Sequence, residues 1–127
     1  MKTRTAPRPV SASRLTGYQL EAQTHEGFRL RLAQWFGEAA QCRVDLAFGA
    51  DSSAHHDLQR GLLTSLVAYG EWAQRQARRE KIDLSAIGVK VEDIAAETRL
   101  LRDTFRSAFD NALSSAEADA VLKEVFG

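Results

Sequence analysis

The chain has 127 residues, which is the usual length of one globular domain and enough for one hydrophobic core but not for two. Its hydrophobic content of 44% and charged content of 27% match those of soluble globular proteins and exclude a largely disordered chain. Seventeen basic residues balance seventeen acidic ones, so no global charge attracts the protein to nucleic acid, an anionic membrane or an acidic substrate. Any such binding must be local.

The single cysteine, Cys42, excludes an internal disulfide and a thiolate metal cluster and fits a reducing compartment. The N-terminus lacks the run of about 7–15 apolar residues of a secretory signal, and no apolar stretch approaches the ~18 residues of a membrane span. We therefore expect a cytoplasmic protein with no membrane segment. Arginine and serine with no acid before Glu21 also resemble an organellar transit peptide, which we rank below a flexible arm.

The N-terminal residues 1–13 combine basic side chains, including Arg4 and Arg8, with two prolines and few apolar groups. Too little apolar surface is present to offset the entropy of ordering this segment. We interpret it as a flexible basic arm that precedes a single helical domain, residues 14–127.

The second segment of the domain, residues 54–81, is predicted to be an amphipathic helix. Ser52 or Ser53 can cap its first turn, and basic residues at its end complement the helix dipole. Apolar residues at intervals of three and four define its predicted inner face. These are Leu58, Leu62, Leu66, Tyr69, Ala73 and Ala77, flanked by Leu63, Val67 and Gly70.

The third segment, residues 91–112, is also predicted to be a helix because its apolar residues alternate at intervals of three and four. That stripe consists of Val91, Ile94, Thr98, Leu101, Phe105, Ala108 and Ala112. Beyond it, Ser114 and Glu117 have the spacing of a capping box, which predicts a short final helix with one apolar side.

Residues 15–48 allow two interpretations. Phe28, Leu32 and Trp35, followed by Ala39, Cys42 and Leu46, have helical spacing, and few residues in the segment are β-branched. The same stretch also alternates apolar and polar residues, and glycines recur at intervals of ten to twelve. The preferred fold is an all-α, single-domain bundle of about four helices. The alternative is an α+β fold in which an antiparallel β-meander, residues 17–48, packs on the C-terminal helices.

One group of residues has ligands suited to a metal ion: Asp51, His55, His56 and Asp57. Adjacent histidines point about 100° apart on a helix and cannot easily reach one ion. The signature motifs of phosphate-binding loops, dinucleotide-binding folds, serine hydrolases and zinc proteases are absent. We therefore predict a non-enzymatic protein with no metal and no cofactor, and treat a small enzyme or metal binder as the third-ranked hypothesis.

Arginines form two clusters that are candidates for phosphate binding, because guanidinium groups bind phosphate in bidentate fashion. One cluster is Arg75, Arg78 and Arg79, and the other is Arg99, Arg102 and Arg106; Arg4 and Arg8 add to them from the arm. Asp103 and Asp110 stand four residues after Arg99 and Arg106, where helical ion pairs would neutralise the second cluster. The preferred interpretation is a solvated, salt-bridged face.

Functionally, the sequence favours a helical interaction module that forms a homo-oligomer or binds a protein partner. Trp35, Trp72 and Phe109 are the predicted partner contacts, since aromatic residues dominate interface hot spots. Ordinary core packing explains each of these three residues equally well. The second hypothesis is a nucleic-acid-associated regulator or nucleoprotein subunit that contacts phosphates through the arginine clusters and the arm.

Overall fold

The structure, a computed structural model, describes residues 25–48 and 53–126, and this part of the chain is helical with no strand. It contains helices α1 (His25–Ala47), α2 (Ser53–Arg79), α3 (Val91–Phe109) and α4 (Ser115–Phe126), and a short 3-10 turn (Ser85–Ile87). The predicted all-α bundle is therefore confirmed, and the β-meander is wrong for residues 25–47. The basic arm, Arg4, Arg8 and the first part of the alternative meander lie outside the described residues.

Helix α2 is the central element of the bundle, because it contacts each of the other three helices. It runs antiparallel to α3: Arg60 near its start lies over the ring of Phe105, whereas Gln74 near its end reaches Thr98. Helix α1 lies against both α2 and α3, and α4 packs on α2. A single apolar core results between these helices.

Helix α1 buries the stripe that its spacing predicts. Phe28, Leu32, Trp35, Ala39 and Cys42 are all at most 3% exposed. The helical interpretation of the segment succeeds because intervals of three and four residues bring these side chains onto one face. An alternating strand would have placed some of them on opposite faces.

The predicted inner face of α2 is wrong in its first two turns. Leu58 and Leu62 are 74% and 51% exposed, whereas the predicted flanking residues Leu63 and Val67 are fully buried. The physical reason is that α3 and α4 pack on the first half of α2 from the side opposite Leu58 and Leu62, so the buried face there turns away from these residues. The apolar pattern alone gives no information about which side a later helix will cover.

Helix α3 agrees with its predicted stripe, since Ile94, Thr98, Leu101 and Phe105 are buried. The helix ends at Phe109, three residues before the predicted end, because Asp110 takes a left-handed conformation with φ of 51°. Such a residue cannot continue a right-handed helix.

The predicted capping box at the start of α4 is present. The Ser114 hydroxyl accepts a hydrogen bond from the Glu117 backbone N–H at 3.1 Å, and the Ser114 N–H donates to the Glu117 carboxylate at 3.3 Å. Hydrogen bonds from Ser114 are also the main reason that the pKa of Glu117 is lowered. These reciprocal bonds satisfy backbone donors at the start of the helix that have no partner within it.

The three long helices approach one another closely at Gly70. The Trp35 indole N–H of α1 donates a hydrogen bond of 2.9 Å to the Leu66 carbonyl of α2, one turn before Gly70. A Cβ atom at Gly70 would lie only 2.9 Å from the Trp35 ring and closer still to the Thr98 hydroxyl of α3. Only glycine leaves room for α1 and α3 to meet α2 at this point.

We predict that Gly70→Ala lowers the free energy of unfolding by about 1–3 kcal/mol, because overpacking at a well-packed site forces its neighbours apart. Gly61→Ala is the matched control on the same helix, since an added Cβ there meets nothing within 4 Å. It should instead stabilise the protein by about 0.5–1 kcal/mol through better helix propensity. Urea unfolding measures both changes, and equal stabilisation by the two variants would contradict the close approach.

We also predict that Phe105→Ala costs about 3–5 kcal/mol, the usual loss when a buried phenylalanine is truncated. Phe105 is fully buried on α3, and the Arg60 guanidinium lies 4.6 Å from its ring centre. The midpoint of a denaturant titration should fall accordingly. A change below ~1 kcal/mol would show that α3 does not pack as described.

Candidate interaction surfaces

Trp35, the first of the predicted partner contacts, lies in the core. Its side chain is fully buried, contacts the rings of Phe36 and Tyr69, and donates its N–H to the Leu66 carbonyl. Trp35 is therefore a core residue, which is the alternative that the sequence left open.

Trp72 and Phe109 are half-buried, and each packs against aromatic rings of its own chain. The Trp72 ring lies 5.8 Å from Phe28 and 5.6 Å from Tyr69. Phe109 lies 4.5 Å from the His56 ring and 5.0 Å from Phe105. Intramolecular partners thus account for much of the aromatic surface that these two residues carry.

Four of the large exposed apolar side chains among the described residues lie on the last turn of α1, just after it, and in the first turns of α2. Phe48 is 86% exposed and Val44 49%, while Leu58 and Leu62 project from the first two turns of α2. We call these four residues the apolar patch. The sequence did not predict it because helical spacing assigned Leu58 and Leu62 to the inner face of α2.

A groove of about 200 Å³ separates α1 from α2 beside the apolar patch. Its lining comprises Cys42, Asp45, Leu58, Gln59 and Leu62. Leu58 and Leu62 form one wall of the groove, so the α2 part of the apolar patch adjoins it.

The Cys42 thiol lies beside this groove but is only 3% exposed. Burial raises the pKa of the thiol, and the Asp45 carboxylate raises it further, while Arg43 acts in the opposite direction. At neutral pH the thiol therefore stays protonated, which is the unreactive form. This placement agrees with a structural role for Cys42 rather than a nucleophilic one.

The arginines at the end of α2 differ in how they are held. Arg79 bonds to Gln76 and lies 3.5 Å from the Glu80 carboxylate. The side chains of Arg75 and Arg78 are exposed and make no ion pair or hydrogen bond within the described part of the chain. These two are therefore available to an external anion.

On α3, the predicted ion pairs of Arg99 with Asp103 and of Arg106 with Asp110 do not form. Both arginines are exposed and have no acidic partner among residues 25–48 and 53–126. The cluster is not neutralised in the way that its spacing predicts, because solvated side chains gain little from a single exposed ion pair.

Arg102 is the one member of the α3 cluster that is held in place. Its guanidinium donates to the Leu113 carbonyl at 3.1 Å and lies 3.7 Å from the Glu71 carboxylate. It thereby joins α3 to α2 and to the loop before α4. A second structural arginine, Arg43, binds Glu97 through two nitrogens at 2.7 and 3.0 Å, and this bond raises the pKa of its guanidinium.

The candidate metal ligands whose side chains the structure describes, His56 and Asp57, belong to no metal-binding cluster within the described part of the chain. No group of three or more metal-binding side chains occurs there, and His56 packs on Phe109 instead. Asp51 and the side chain of His55 lie outside the described residues.

No helix among the described residues has both the length and the apolar character needed to cross a bilayer. Comparisons with protein-family models, with curated proteins and with solved structures found no match to this chain.

We predict that a thiol reagent at pH 7 labels folded Cys42 more than about tenfold more slowly than the urea-unfolded chain, because the buried thiol is protonated and shielded. The matched control moves the cysteine to an exposed position two residues away on α1, as Cys42→Ala with Ala40→Cys. That variant should react at nearly the same rate folded and unfolded. Rapid labelling of folded wild-type protein would contradict the burial of Cys42.

Proposed function

We propose that this protein is a non-enzymatic helical interaction module that self-associates through the apolar patch. The observation that carries the proposal is the exposure of Leu58 and Leu62 beside the groove between α1 and α2, with Val44 and Phe48 also exposed at the end of α1. Single exposed apolar residues need no explanation, but two exposed leucines one turn apart that also line a groove are typical of an interaction site.

The energetics of the apolar patch are compatible with a reversible dimer. Full burial of a leucine, valine or phenylalanine side chain contributes roughly 1.5–3 kcal/mol. Four such residues exceed the lower estimates for the cost of association, which begin at about 4 kcal/mol. Polar residues beside the patch, such as Gln41 and Asp45, supply the hydrated rim that protein interfaces usually have.

A second copy of the chain is the favoured partner because a two-fold interface needs one self-complementary surface rather than two different ones. Leu58 and Leu62 lie one turn apart on α2, so two antiparallel copies of this helix can pack their leucines against each other. The adjoining groove beside Cys42 can then accept a side chain from the second copy.

We predict that light scattering at micromolar concentration gives a mass above the 14.1 kDa of one chain. The double variant Leu58→Arg and Leu62→Arg should give the monomer mass, because charged side chains cannot be buried at the interface without a partner. Its helical circular dichroism should remain, since both leucines are exposed in the monomer.

Leu30→Arg is the control for that experiment. Leu30 is 60% exposed and lies on α1 nearly four turns before Val44, roughly 20 Å away along the helix. This variant should retain the wild-type mass. A wild-type monomer at high concentration would defeat self-association, and an equal effect of Leu30→Arg would show that the apolar patch is not the interface.

A further inference from the structure

The groove between α2 and α3 is chemically different from the apolar patch. It has a volume of about 270 Å³ and is lined by Glu71, Gln74, Ala95, Thr98, Arg99 and Arg102; we call it the basic groove. Its small residues, Ala95 and Thr98, leave space between the helices, and its long polar side chains form the walls. We propose that the basic groove and the arginines beside it bind the phosphate backbone of nucleic acid.

Two kinds of arginine meet at the basic groove. Arg102 is fixed by the Leu113 carbonyl and by Glu71, whose carboxylate it partly neutralises. Arg99 is exposed and has no acidic partner among the described residues. A fixed cation costs little entropy on binding, whereas a free one can adjust its guanidinium to a phosphate in bidentate geometry.

Further exposed arginines lie beyond the groove on both helices, and one exposed acid, Asp103, stands between Arg99 and Arg106 on α3. Arg106 stands two turns after Arg99 on α3, roughly 10 Å further along. On α2, Arg75 follows Gln74 directly and Arg78 lies one turn beyond Gln74, and both are exposed. Exposed arginines distributed over this length match a linear polyanion better than a single small anion.

The lining of the basic groove favours nucleic acid over an acidic protein. Protein interfaces have an apolar, often aromatic centre, whereas interfaces with nucleic acid are polar and positively charged. The large exposed apolar residues of the described chain do not line this groove, whose only apolar lining residue is Ala95.

The residues that line the basic groove also indicate which part of the nucleic acid it contacts. Single-strand binding proteins provide aromatic side chains on which bases stack. No aromatic ring lines the basic groove, so it offers bases no such surface. We therefore infer contact with the phosphates of duplex DNA or RNA, without base readout and with strong dependence on salt.

The test measures binding of the full chain to a fluorescent 20-base-pair DNA duplex by anisotropy over a range of salt concentrations. The variant Arg78→Gln with Arg99→Gln should weaken binding in 50 mM salt by roughly tenfold for each phosphate that the protein no longer neutralises. It should also flatten the slope of log K against log salt by roughly 0.9 for each such phosphate. Because both side chains are exposed and unpaired within the described part of the chain, the thermal unfolding midpoint should stay unchanged.

Lys123→Gln is the matched control, since it removes one exposed charge from α4 outside the basic groove and should leave the slope unchanged. The proposal is overturned if wild-type protein does not bind the duplex in 20 mM salt. It is also overturned if the double arginine variant binds as wild type does, or if polyglutamate or phosphatidylserine vesicles compete as well as unlabelled duplex. Duplex binding by the variant Leu58→Arg with Leu62→Arg, measured in the same way, separates nucleic-acid binding from self-association.

Discussion

The close approach of three helices at Gly70 is the constraint on which the bundle depends. Because Gly70 has no side chain, the Trp35 ring can lie against α2 and donate its N–H to a backbone carbonyl there. Thr98 occupies the other side of the same point and turns its hydroxyl to the Ile94 carbonyl of its own helix. Trp35 is the largest fully buried side chain among the described residues. The absence of a side chain at Gly70 gives its ring the space to pack and lets its N–H reach a hydrogen-bond acceptor.

The sequence predicts the helices well because their spacing is a local property. Phe28, Leu32 and Trp35 on α1 and Ile94, Leu101 and Phe105 on α3 are buried as their intervals indicate. The surfaces are predicted less well, since they depend on which helix covers which face. An exposed leucine such as Leu58 follows the same interval rule as a buried one, and only the position of α4 and α3 against α2 distinguishes them. Likewise, the sequence spacing predicted ion pairs of Arg99 and Arg106 with acidic residues four positions later. The solvated side chains do not form these pairs.

Helix α2 links the two proposed binding surfaces. Its first turns carry Leu58 and Leu62, its last turns carry Arg75 and Arg78, and the rigid core between them contacts every other helix. The two surfaces therefore have a fixed separation, of roughly 20–30 Å along the helix axis. A dimer formed through the apolar patch would carry two sets of basic residues, each at this distance from the interface. Bivalent contact through both sets raises apparent affinity without any new type of interaction.

The two tryptophans lie on different helices and at different depths, Trp35 fully buried on α1 and Trp72 half-buried on α2. The protein therefore has two internal spectroscopic reporters. The indole N–H of Trp35 is fully buried and bonded, so its hydrogen exchange requires α1 to leave α2. Trp72 is only half-buried against Phe28 and Tyr69, so its emission responds to smaller movements at the edge of the same helix pair. Comparing the indole exchange of Trp35 with the fluorescence of Trp72 distinguishes fraying of the bundle edge from opening of its centre.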